Sequence, residues 1–375
     1  MKIALFGGSF DPVHNEHVRY VQAAKAALGL DRVYIIPSHI APHKAFGAAA
    51  SGADRLQMCN LAFRNLPYAE VSDYELRAAG TSYSYLTCRA FAERFPNDEL
   101  YFLVGADMLE DFFTWKNPDD ILAHATLVAC GREGENPAEF REKFFRRFGK
   151  EFISISFAGD AAASHKLRVD LAFRKPTPDL DRAVRRYIDE NRLYGHPAIA
   201  PALALEKPQR REHSYRVALM AVARARSVGV AEGKALLASA LHDCAKYVPL
   251  TSPLLEDFTP PENVPPPVMH QYTGAYLARH AFGIEDEEVL DAIRYHTSGR
   301  AGMTALGKLV FLAAMLESGR SFDGVERLRE IFWKDLDGCF YEALREQTEY
   351  LAASGSRVYP LTREAYEYEK ARQNR

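Results

Sequence analysis

The chain has 375 residues, of which 47% are hydrophobic and 26% are charged, and this composition provides enough apolar material for two cores. Its formal net charge of −3 argues against non-specific binding to nucleic acid, so any nucleotide partner is expected to be small. The five cysteines are scattered and form no C-x-x-C pair. They argue against a disulfide framework or a thiolate zinc site and fit a reducing compartment.

No apolar run reaches the ~18 residues that a membrane-spanning helix requires, so no membrane partner is expected. The first residues lead straight into a glycine-containing motif without the features of a signal peptide. We therefore expect a cytoplasmic location. No pattern in the sequence indicates an oligomeric state.

The first half of the chain alternates short β-rich runs with stretches of helical periodicity. The predicted strands are residues 2–6, 32–37, 69–73, 100–104, 126–130 and 152–156. The predicted helices are residues 18–28, 55–65, 83–95, 137–148 and 179–191. Such alternation is typical of βαβ units and predicts an α/β fold with a parallel sheet.

The second half carries a different pattern. Residues 195–210 hold three prolines and little periodicity, which is typical of a linker. Beyond it, alanine- and leucine-rich stretches predict an all-α domain, with residues 259–267 and their five prolines as a loop. The predicted organisation is a first domain at 1–195, a linker at 196–210, a second domain at 211–350 and a C-terminal extension at 351–375.

Glycines and histidines follow the first predicted strand, where residues 6–17 read Phe-Gly-Gly-Ser-Phe-Asp-Pro-Val-His-Asn-Glu-His. Gly7 and Gly8 let backbone N–H groups approach an anion, and the helix that opens near His17 directs its positive end to the same place. His14 and His17 lie three residues apart and can face one ligand. The motif predicts a phosphate-binding site, with a simple tight turn as the alternative. The three spaced glycines of a dinucleotide-binding fingerprint are missing, which argues against hydride transfer.

This motif resembles the His (or Thr)-x-Gly-His signature of the nucleotidyltransferase superfamily. Further motifs, in order, resemble nicotinate-nucleotide adenylyltransferase: Ala-Pro-His-Lys at 41–44, Thr-Ser-Tyr-Ser at 81–84, Val-Gly-Ala-Asp at 104–107, Trp115, and Gly-Arg-Glu-Gly at 131–134. The resemblance covers roughly residues 1–195. It implies a Rossmann-like domain that transfers an adenylyl group from ATP, with Mg²⁺, to nicotinate mononucleotide and releases pyrophosphate.

The resemblance also implies roles for single residues. His14 and His17 would contact the ATP phosphates, Lys44 and Arg168 would add positive charge, and Trp115 would stack on the pyridine ring. The implied nucleotide-binding residues are Gly7, Gly8, Ser9, Phe10, Thr81, Tyr83, Gly105, Asp107, Trp115, Arg132 and Ser164. Two alternatives stay open, because Trp115 can be a core residue and Asp107 can cap a helix.

Two positions depart from the family pattern. Glu16 stands where the signature has glycine, and residues 163–168 read Ala-Ser-His-Lys-Leu-Arg in place of Ser-Ser-Thr-x-Ile-Arg. We expect an altered phosphate contact, for which His165 or Lys166 can compensate. A rival interpretation changes the acceptor to another small phosphate or alcohol such as pantetheine phosphate, but Trp115 and the segment 81–83 argue against it.

The second half contains a set of histidines with one aspartate. His242 and Asp243 are adjacent and are followed by Lys246, while His213, His270 and His296 lie elsewhere in the same all-α region. Neutral imidazoles and carboxylates that converge from several helices can hold one or two metal ions for phosphoanhydride hydrolysis. For any one histidine alone, an ordinary core or surface position is the alternative.

These residues stand in the order His-x-x-x-Val, Leu-His-Asp-x-x-Lys, His-x-x-x-Gly-Ala and His-Thr-x-Gly. The block resembles bacterial HD hydrolases that split symmetrical dinucleoside tetraphosphates, over roughly residues 205–345. It implies diadenosine tetraphosphate as substrate, iron or another divalent metal that Asp243 bridges, and contact between Lys246 and a phosphate.

The last ligand of that family is the aspartate of Leu-Ala-Asp-Lys-x-Glu, and residues 312–317 here read Leu-Ala-Ala-Met-Leu-Glu. Ala314 cannot bind a metal, and Glu317, three residues further on, is a candidate substitute. Weak metal binding, slow hydrolysis and a non-catalytic nucleotide-sensing domain all stay open. The sequence thus predicts a bifunctional enzyme whose second activity depends on this site.

Overall fold

The computed structural model describes residues 1–39, 49–78, 80–105, 108–131, 138–156 and 164–373. The chain forms two compact units, one of Met1–Leu167 with Pro176–Tyr194 and one of Arg168–Lys175 with Gly195–Arg375. Within the described ranges, no helix has both the length and the apolar character needed to cross a membrane.

The first unit alternates strands with helices. In chain order to Tyr194 the elements are β1 (Lys2–Gly8), α1 (Asn15–Leu28), β2 (Arg32–Pro37), α2 (Gly52–Phe63), β3 (Ala69–Val71), α3 (Tyr74–Arg77), α4 (Ser84–Arg94), β4 (Glu99–Gly105), α5 (Met108–Phe112), α6 (Pro118–His124), β5 (Thr126–Gly131), α7 (Ala138–Phe148), β6 (Ile153–Ser156), α8 (Ser164–Ala172) and α9 (Arg182–Glu190). The six strands form one sheet in the order β3-β2-β1-β4-β5-β6, and every pair is parallel. The predicted parallel sheet is confirmed.

The strand order reverses between β1 and β4, which lie side by side in the sheet. In such sheets the carboxyl ends of the two strands at the reversal diverge into their connections and leave a crevice that binds ligands. Gly8 ends β1 and Gly105 ends β4, so both predicted glycine positions lie at this crevice.

Gly7 and Gly8 differ from the prediction of a glycine loop, because they are the last two residues of β1. They pair with Ile36 and Pro37 of β2. A Cβ on Gly8 would lie 3.1 Å from the ring of Phe10. Glycine at position 8 therefore lets the Phe10 ring pack closely against the strand.

The core of the first unit lies on the sheet. Leu5, Phe102 and Leu127 project from three adjacent strands and pack with Phe91 of α4 and Phe112 of α5. The helices α3, α5 and α6 were not predicted, because four to seven residues are too few to show helical periodicity, and the nine-residue α8 was not predicted either.

The second unit is helical. Its helices after Tyr194 are α10 (Ile199–Ala204), α11 (Pro208–Ala225), α12 (Glu232–Leu241), α13 (Met269–His280), α14 (Glu287–Arg294), α15 (Ala305–Leu316), α16 (Val325–Lys334), α17 (Leu336–Ala353) and α18 (Pro360–Gln373). One apolar cluster runs through these helices, with Leu241, Leu290 and Leu312 fully buried. The predicted all-α second half is confirmed.

The segment predicted as a linker, residues 196–210, is folded. It contains α10, whose Ile199 and Ala202 are buried in the core of the second unit, and the first residues of α11. The prolines suggested a linker, but Pro208 lies at the start of α11, where the missing N–H has no helical partner to lose.

Two further segments belong to the second unit. Residues 168–175 join it because Val169 and Ala172 lie in its core and the Tyr215 hydroxyl donates to Asp170 Oδ1 at 2.6 Å. The predicted C-terminal extension contains α18, whose Ala365 is fully buried in the same core.

Candidate functional site

The histidine pair lies at the start of α1, directly after the loop that leaves β1. The backbone N–H of His14 donates to Nδ1 of His17 at 3.2 Å, and the two ring centroids are 3.8 Å apart. Phe10 packs edge-to-face on both Phe6 and His17. The structure therefore brings His14 and His17 together at a helix N-terminus, where backbone N–H groups and the helix dipole favour an anion.

His14 is buried, and one of its ring nitrogens is available to a ligand. Burial lowers its pKa from 6.5 to about 4, so the imidazole is neutral at neutral pH. Its Nδ1 has no hydrogen-bond partner among the residues that the structure describes. Such an unpaired buried nitrogen is costly unless a bound group completes its contacts.

Arg55 stabilises the loop between β1 and α1. This role was not predicted from the sequence. Its guanidinium donates to the carbonyls of Ser9 at 2.7 Å, Ser38 at 2.6 Å and Ala50 at 3.3 Å. The pKa of this buried group is lowered by desolvation. An arginine inside an otherwise amphipathic helix is the only sequence signal for this role, and it does not specify the partners.

Ser9 and Phe10 are limited in how they can contact a nucleotide. The Ser9 carbonyl is already bonded to Arg55, and the Phe10 ring is buried. We therefore expect the Ser9 hydroxyl and the backbone N–H groups of the loop to make the predicted contacts with a nucleotide.

Glu16 is turned toward Arg19, with which it forms an ion pair at 2.5 Å. Since this contact lies along α1 at the i,i+3 spacing, the carboxylate has a cationic partner on its own helix. The anion that replaces the family's glycine is therefore partly neutralised.

The residues that the resemblance implies for binding of the acceptor include two aromatic side chains, Tyr83 and Trp115. The ammonium of Lys116 sits 4.3 Å from the centroid of the Tyr83 ring, and the exposed Thr81 lies two residues before Tyr83. Trp115 is partly exposed and packs against Phe112, with ring centroids 5.3 Å apart. Trp115 thus lies at the edge of the core, a position from which it can both fill space and present a ring face.

Ser164 and Arg168 lie on the same helix, α8. The Ser164 hydroxyl donates to the Pro12 carbonyl at 3.3 Å, which places Ser164 beside the loop that follows β1. Arg168, which the resemblance implies would add positive charge, is buried and forms an ion pair with Glu232 in the second unit. Its predicted contact with phosphate stays a prediction, as do those of Lys44, Asp107 and Arg132, which lie outside the described residues.

In the second unit the five predicted metal ligands converge, with Asp243 at the centre. Its Oδ1 lies 3.0 Å from Nε2 of His270 and 3.5 Å from Nε2 of His296. Its Oδ2 lies 3.5 Å from Nε2 of His242 and 3.8 Å from Nε2 of His213. The residues form two triads that share Asp243, each with ligand atoms close enough to hold one metal ion.

The ends of helices position these ligands. His213 lies in α11, His242 follows α12, His270 is the second residue of α13, and His296 follows α14. The Nδ1 atoms of His242 and His296 lie 2.7 Å from the carbonyls of Ser239 and Ile293, each three residues earlier. A carbonyl can only accept, so each Nδ1 carries the proton and each Nε2 presents a lone pair to the cluster.

Glu317 fixes the orientation of His213 in the way that the backbone carbonyls fix His242 and His296, by a contact with Nδ1. Its Oε1 lies 3.0 Å from His213 Nδ1, and its Oε2 accepts from the Arg216 guanidinium. The sequence analysis raised Glu317 as a substitute ligand for the position of Ala314. Its carboxylate instead lies behind His213, where it orients the imidazole.

The charge state of the cluster suits a metal. Burial lowers the pKa of His213 and His270 to about 4 and that of His242 well below its usual range. Neutral imidazoles with one carboxylate are the donor set of divalent transition-metal sites. The residues present therefore fit a metal ion.

A cavity of about 820 Å³ opens over the cluster. Three cations line it: Arg210, whose Nη1 lies 2.9 Å from Asp243 Oδ2; Lys246, whose Nζ lies 3.0 Å from His270 Nε2; and Arg320, whose Nη2 lies 3.5 Å from His213 Nε2. Only Lys246 was identified from the sequence. Asp323, Glu346 and Glu349 also line the cavity, so the part suited to a polyphosphate is the part where the three cations lie beside the histidines and Asp243.

These two sites define a nucleotidyltransferase joined to an HD domain. The family described as Cytidylyltransferase-like matches residues 5–177, and the HD domain family matches residues 210–333. A protein of Mycoplasma genitalium named "Probable nicotinate-nucleotide adenylyltransferase/Ap4A hydrolase" is 30% identical over 324 residues, which cover 85% of this chain and 88% of that protein. The chain therefore belongs to the nicotinate-nucleotide adenylyltransferase/Ap4A hydrolase family.

Other relatives match single halves. A protein of Desulfitobacterium hafniense named "Probable nicotinate-nucleotide adenylyltransferase" is 33% identical over 198 residues, covering 52% of this chain and 95% of its own length. Among solved structures, an HD superfamily hydrolase from Clostridium acetobutylicum, described as involved in NAD metabolism, is 29% identical, covers 47% of this chain and 96% of that one, and has a TM-score of 0.43.

Proposed function

We propose that the first unit transfers the adenylyl group of ATP to nicotinate mononucleotide and releases pyrophosphate. The observation that carries this proposal is the His14–His17 pair at the N-terminus of α1, beside the crevice between β1 and β4. The names of the relatives support the choice of acceptor.

The reaction needs positioning and charge stabilisation rather than a base. The acceptor phosphate is already an anion; one of its oxygens bonds to the α-phosphorus as the bond to the pyrophosphate breaks. His14, His17 and the N–H groups of α1 bind the phosphates of ATP and stabilise the charge that develops on the phosphoryl oxygens. Mg²⁺ accompanies ATP and neutralises part of its charge.

The test measures both products of the reaction. Purified chain, ATP, Mg²⁺ and nicotinate mononucleotide should yield the dinucleotide and pyrophosphate in equal amounts, measured by chromatography. Nicotinamide mononucleotide and pantetheine phosphate serve as competing acceptors. A higher kcat/KM for pantetheine phosphate would contradict the proposed acceptor.

We propose that the second unit hydrolyses diadenosine tetraphosphate symmetrically to two molecules of ADP. The observation that carries this proposal is the cluster of four histidines and Asp243 beneath a cavity whose lining includes Arg210, Lys246 and Arg320. Iron or another divalent metal, held by these residues, would supply Lewis-acid activation of water and phosphate. Arg210, Lys246 and Arg320 bind the polyphosphate and stabilise the charge on the leaving ADP.

Hydrolysis is tested with the purified chain after its metal content has been measured by mass spectrometry. ADP should be the only nucleotide product, and His242→Ala should abolish its formation. If the cavity binds diadenosine tetraphosphate but produces no ADP with any of Fe²⁺, Mn²⁺ or Co²⁺, the domain is a non-catalytic nucleotide sensor.

We also propose that both reactions take place in the cytoplasm. The buried free thiols of four cysteines support this location: Cys59, Cys88, Cys244 and Cys339.

A further inference from the structure

The two triads around Asp243 are not equivalent. We define the His213 triad as His213, His242 and Asp243, and the His270 triad as Asp243, His270 and His296. Each uses a different carboxylate oxygen, Oδ2 for the first and Oδ1 for the second. The cluster therefore offers two positions for a divalent cation, and their surroundings decide which of them is filled.

Two guanidinium groups face the His213 triad. Arg210 Nη1 lies 2.9 Å from Asp243 Oδ2, the oxygen that this triad would offer to a metal, and Arg320 Nη2 lies 3.5 Å from His213 Nε2. Arginine stays charged at any physiological pH. A dication at this position would have to displace Arg210 from its carboxylate and tolerate Arg320 nearby.

Position 314 supplies no carboxylate to the His213 triad. Ala314 of α15 lines the cavity but provides only a methyl group, and its carbonyl accepts from Nε of Arg320 at 3.1 Å. The nearby acid, Glu317, is buried against His213 Nδ1 and Arg216. Of the three residues of the His213 triad, only Asp243 carries a carboxylate, and Arg210 already contacts its Oδ2.

The His270 triad is less obstructed. Among the residues that the structure describes, one flexible cation faces it, the Lys246 ammonium, which lies 4.0 Å from Asp243 Oδ1 and 3.0 Å from Nε2 of His270. This ammonium is carried on a flexible four-carbon chain and can move away toward the cavity. His296 is fixed by its Nδ1 contact with Ile293, so its Nε2 stays directed toward Oδ1.

We propose that the HD domain of this chain binds one divalent cation tightly, at the His270 triad, and leaves the His213 triad without one of comparable affinity. The proposal rests on the proposed metal-dependent function of this domain. It assigns Ala314, Arg210 and Arg320 as the residues that make the site mononuclear.

Metal stoichiometry tests the proposal without measuring activity. The full chain, stripped with a chelator and free of nucleotide, is titrated with Co²⁺ and followed by calorimetry and by the visible absorption of bound Co²⁺. We expect one tight equivalent per chain. His270→Gln should weaken it at least about 100-fold, whereas His213→Gln should leave its affinity within about threefold. His296→Gln is the substitute variant if His270→Gln fails to fold.

A gain-of-site variant provides the matched control. Ala314→Asp combined with Arg320→Ala adds a carboxylate and removes a cation, so it should create a second tight equivalent. Two equivalents of similar affinity in the unmodified chain, equal losses in His213→Gln and His270→Gln, or no tight binding at all would each overturn the proposal. The expected binding pattern without hydrolysis of diadenosine tetraphosphate would uphold it and contradict the proposed hydrolase function instead.

Discussion

At the scale of single residues, we predict that His17 contacts ATP in the first unit. It lies in the first turn of α1, and its ring centroid is 3.8 Å from that of His14. We expect His17→Ala to reduce kcat/KM for adenylyl transfer by at least about 30-fold, or about 2 kcal/mol, because one donor to the developing charge is lost. Steady-state kinetics check this, with His124→Ala as a control. An unchanged kcat/KM would contradict the assigned role.

His14 makes stability depend on pH. Its pKa in the folded chain, about 4, is below the ordinary 6.5, so between these values the unfolded chain binds more protons. Its contribution to stability is present above about pH 6.5 and is lost as the pH falls toward about 4, to a total of about 3 kcal/mol. His14→Asn should reduce the fall in unfolding free energy between about pH 7 and about pH 5, measured by urea denaturation. An equal fall in both proteins would show that another group is responsible.

Substitution of Trp115 distinguishes a role in substrate binding from a role in core packing. Its ring contacts Phe112 and Phe102 but remains partly exposed. If it stacks on the pyridine ring, Trp115→Ala should raise KM for nicotinate mononucleotide about tenfold while KM for ATP and the melting temperature hold nearly steady. A large drop in melting temperature with equal losses for both substrates would show that Trp115 is a core residue.

At the scale of secondary-structure elements, the sequence predicted every strand of the described sheet, since each is a short run, either apolar or alternating between apolar and polar residues, between helical stretches or turns. The convergence of the predicted metal ligands was equally predictable, because histidine and aspartate in a fixed order carry chemistry that other residues lack. Arg55, Arg210 and Arg320 could not be predicted. An arginine looks alike in sequence whether it is solvated or directed into a site, and only the fold decides which carbonyl or carboxylate it meets. For the same reason the orientation of Glu317 behind His213 had no sequence signal.

The packing of α18 on α15 depends on one buried ion pair. Lys308 of α15 is 2% exposed, and its Nζ lies 2.8 Å from both Glu369 Oε1 of α18 and Asp337 Oδ1 of α17. Glu369→Gln leaves a buried ammonium with one half-exposed partner, so we expect a loss of about 2 kcal/mol or more of unfolding free energy. Lys308→Met with Glu369→Leu should restore most of it. The midpoints of denaturant unfolding measure both, and a loss below about 0.5 kcal/mol would indicate that the pair contributes little.

At the scale of the whole molecule, two chemistries share one chain while each site draws its described side chains from one unit. His14 and His17 belong to the first unit, and His213, His242, Asp243, His270 and His296 belong to the second. Arg168 is the exception among the predicted transferase residues, because it belongs to the second unit through its pair with Glu232. A cation implied in phosphate binding is thus held by the packing of the second unit.

This arrangement predicts which changes are local and which are shared. His242→Ala should abolish hydrolysis of diadenosine tetraphosphate and leave kcat/KM for adenylyl transfer within about twofold, since a coupling free energy below about 0.5 kcal/mol is expected between sites without common side chains. His17→Ala should do the reverse.

Glu232→Gln removes the partner of Arg168 without changing His14, His17 or the predicted metal ligands. If Arg168 contacts phosphate, this variant should change KM for ATP severalfold and spare hydrolysis. An unchanged KM for ATP would restrict Arg168 to a structural role, and a change in transfer caused by His242→Ala would show that the two sites are coupled.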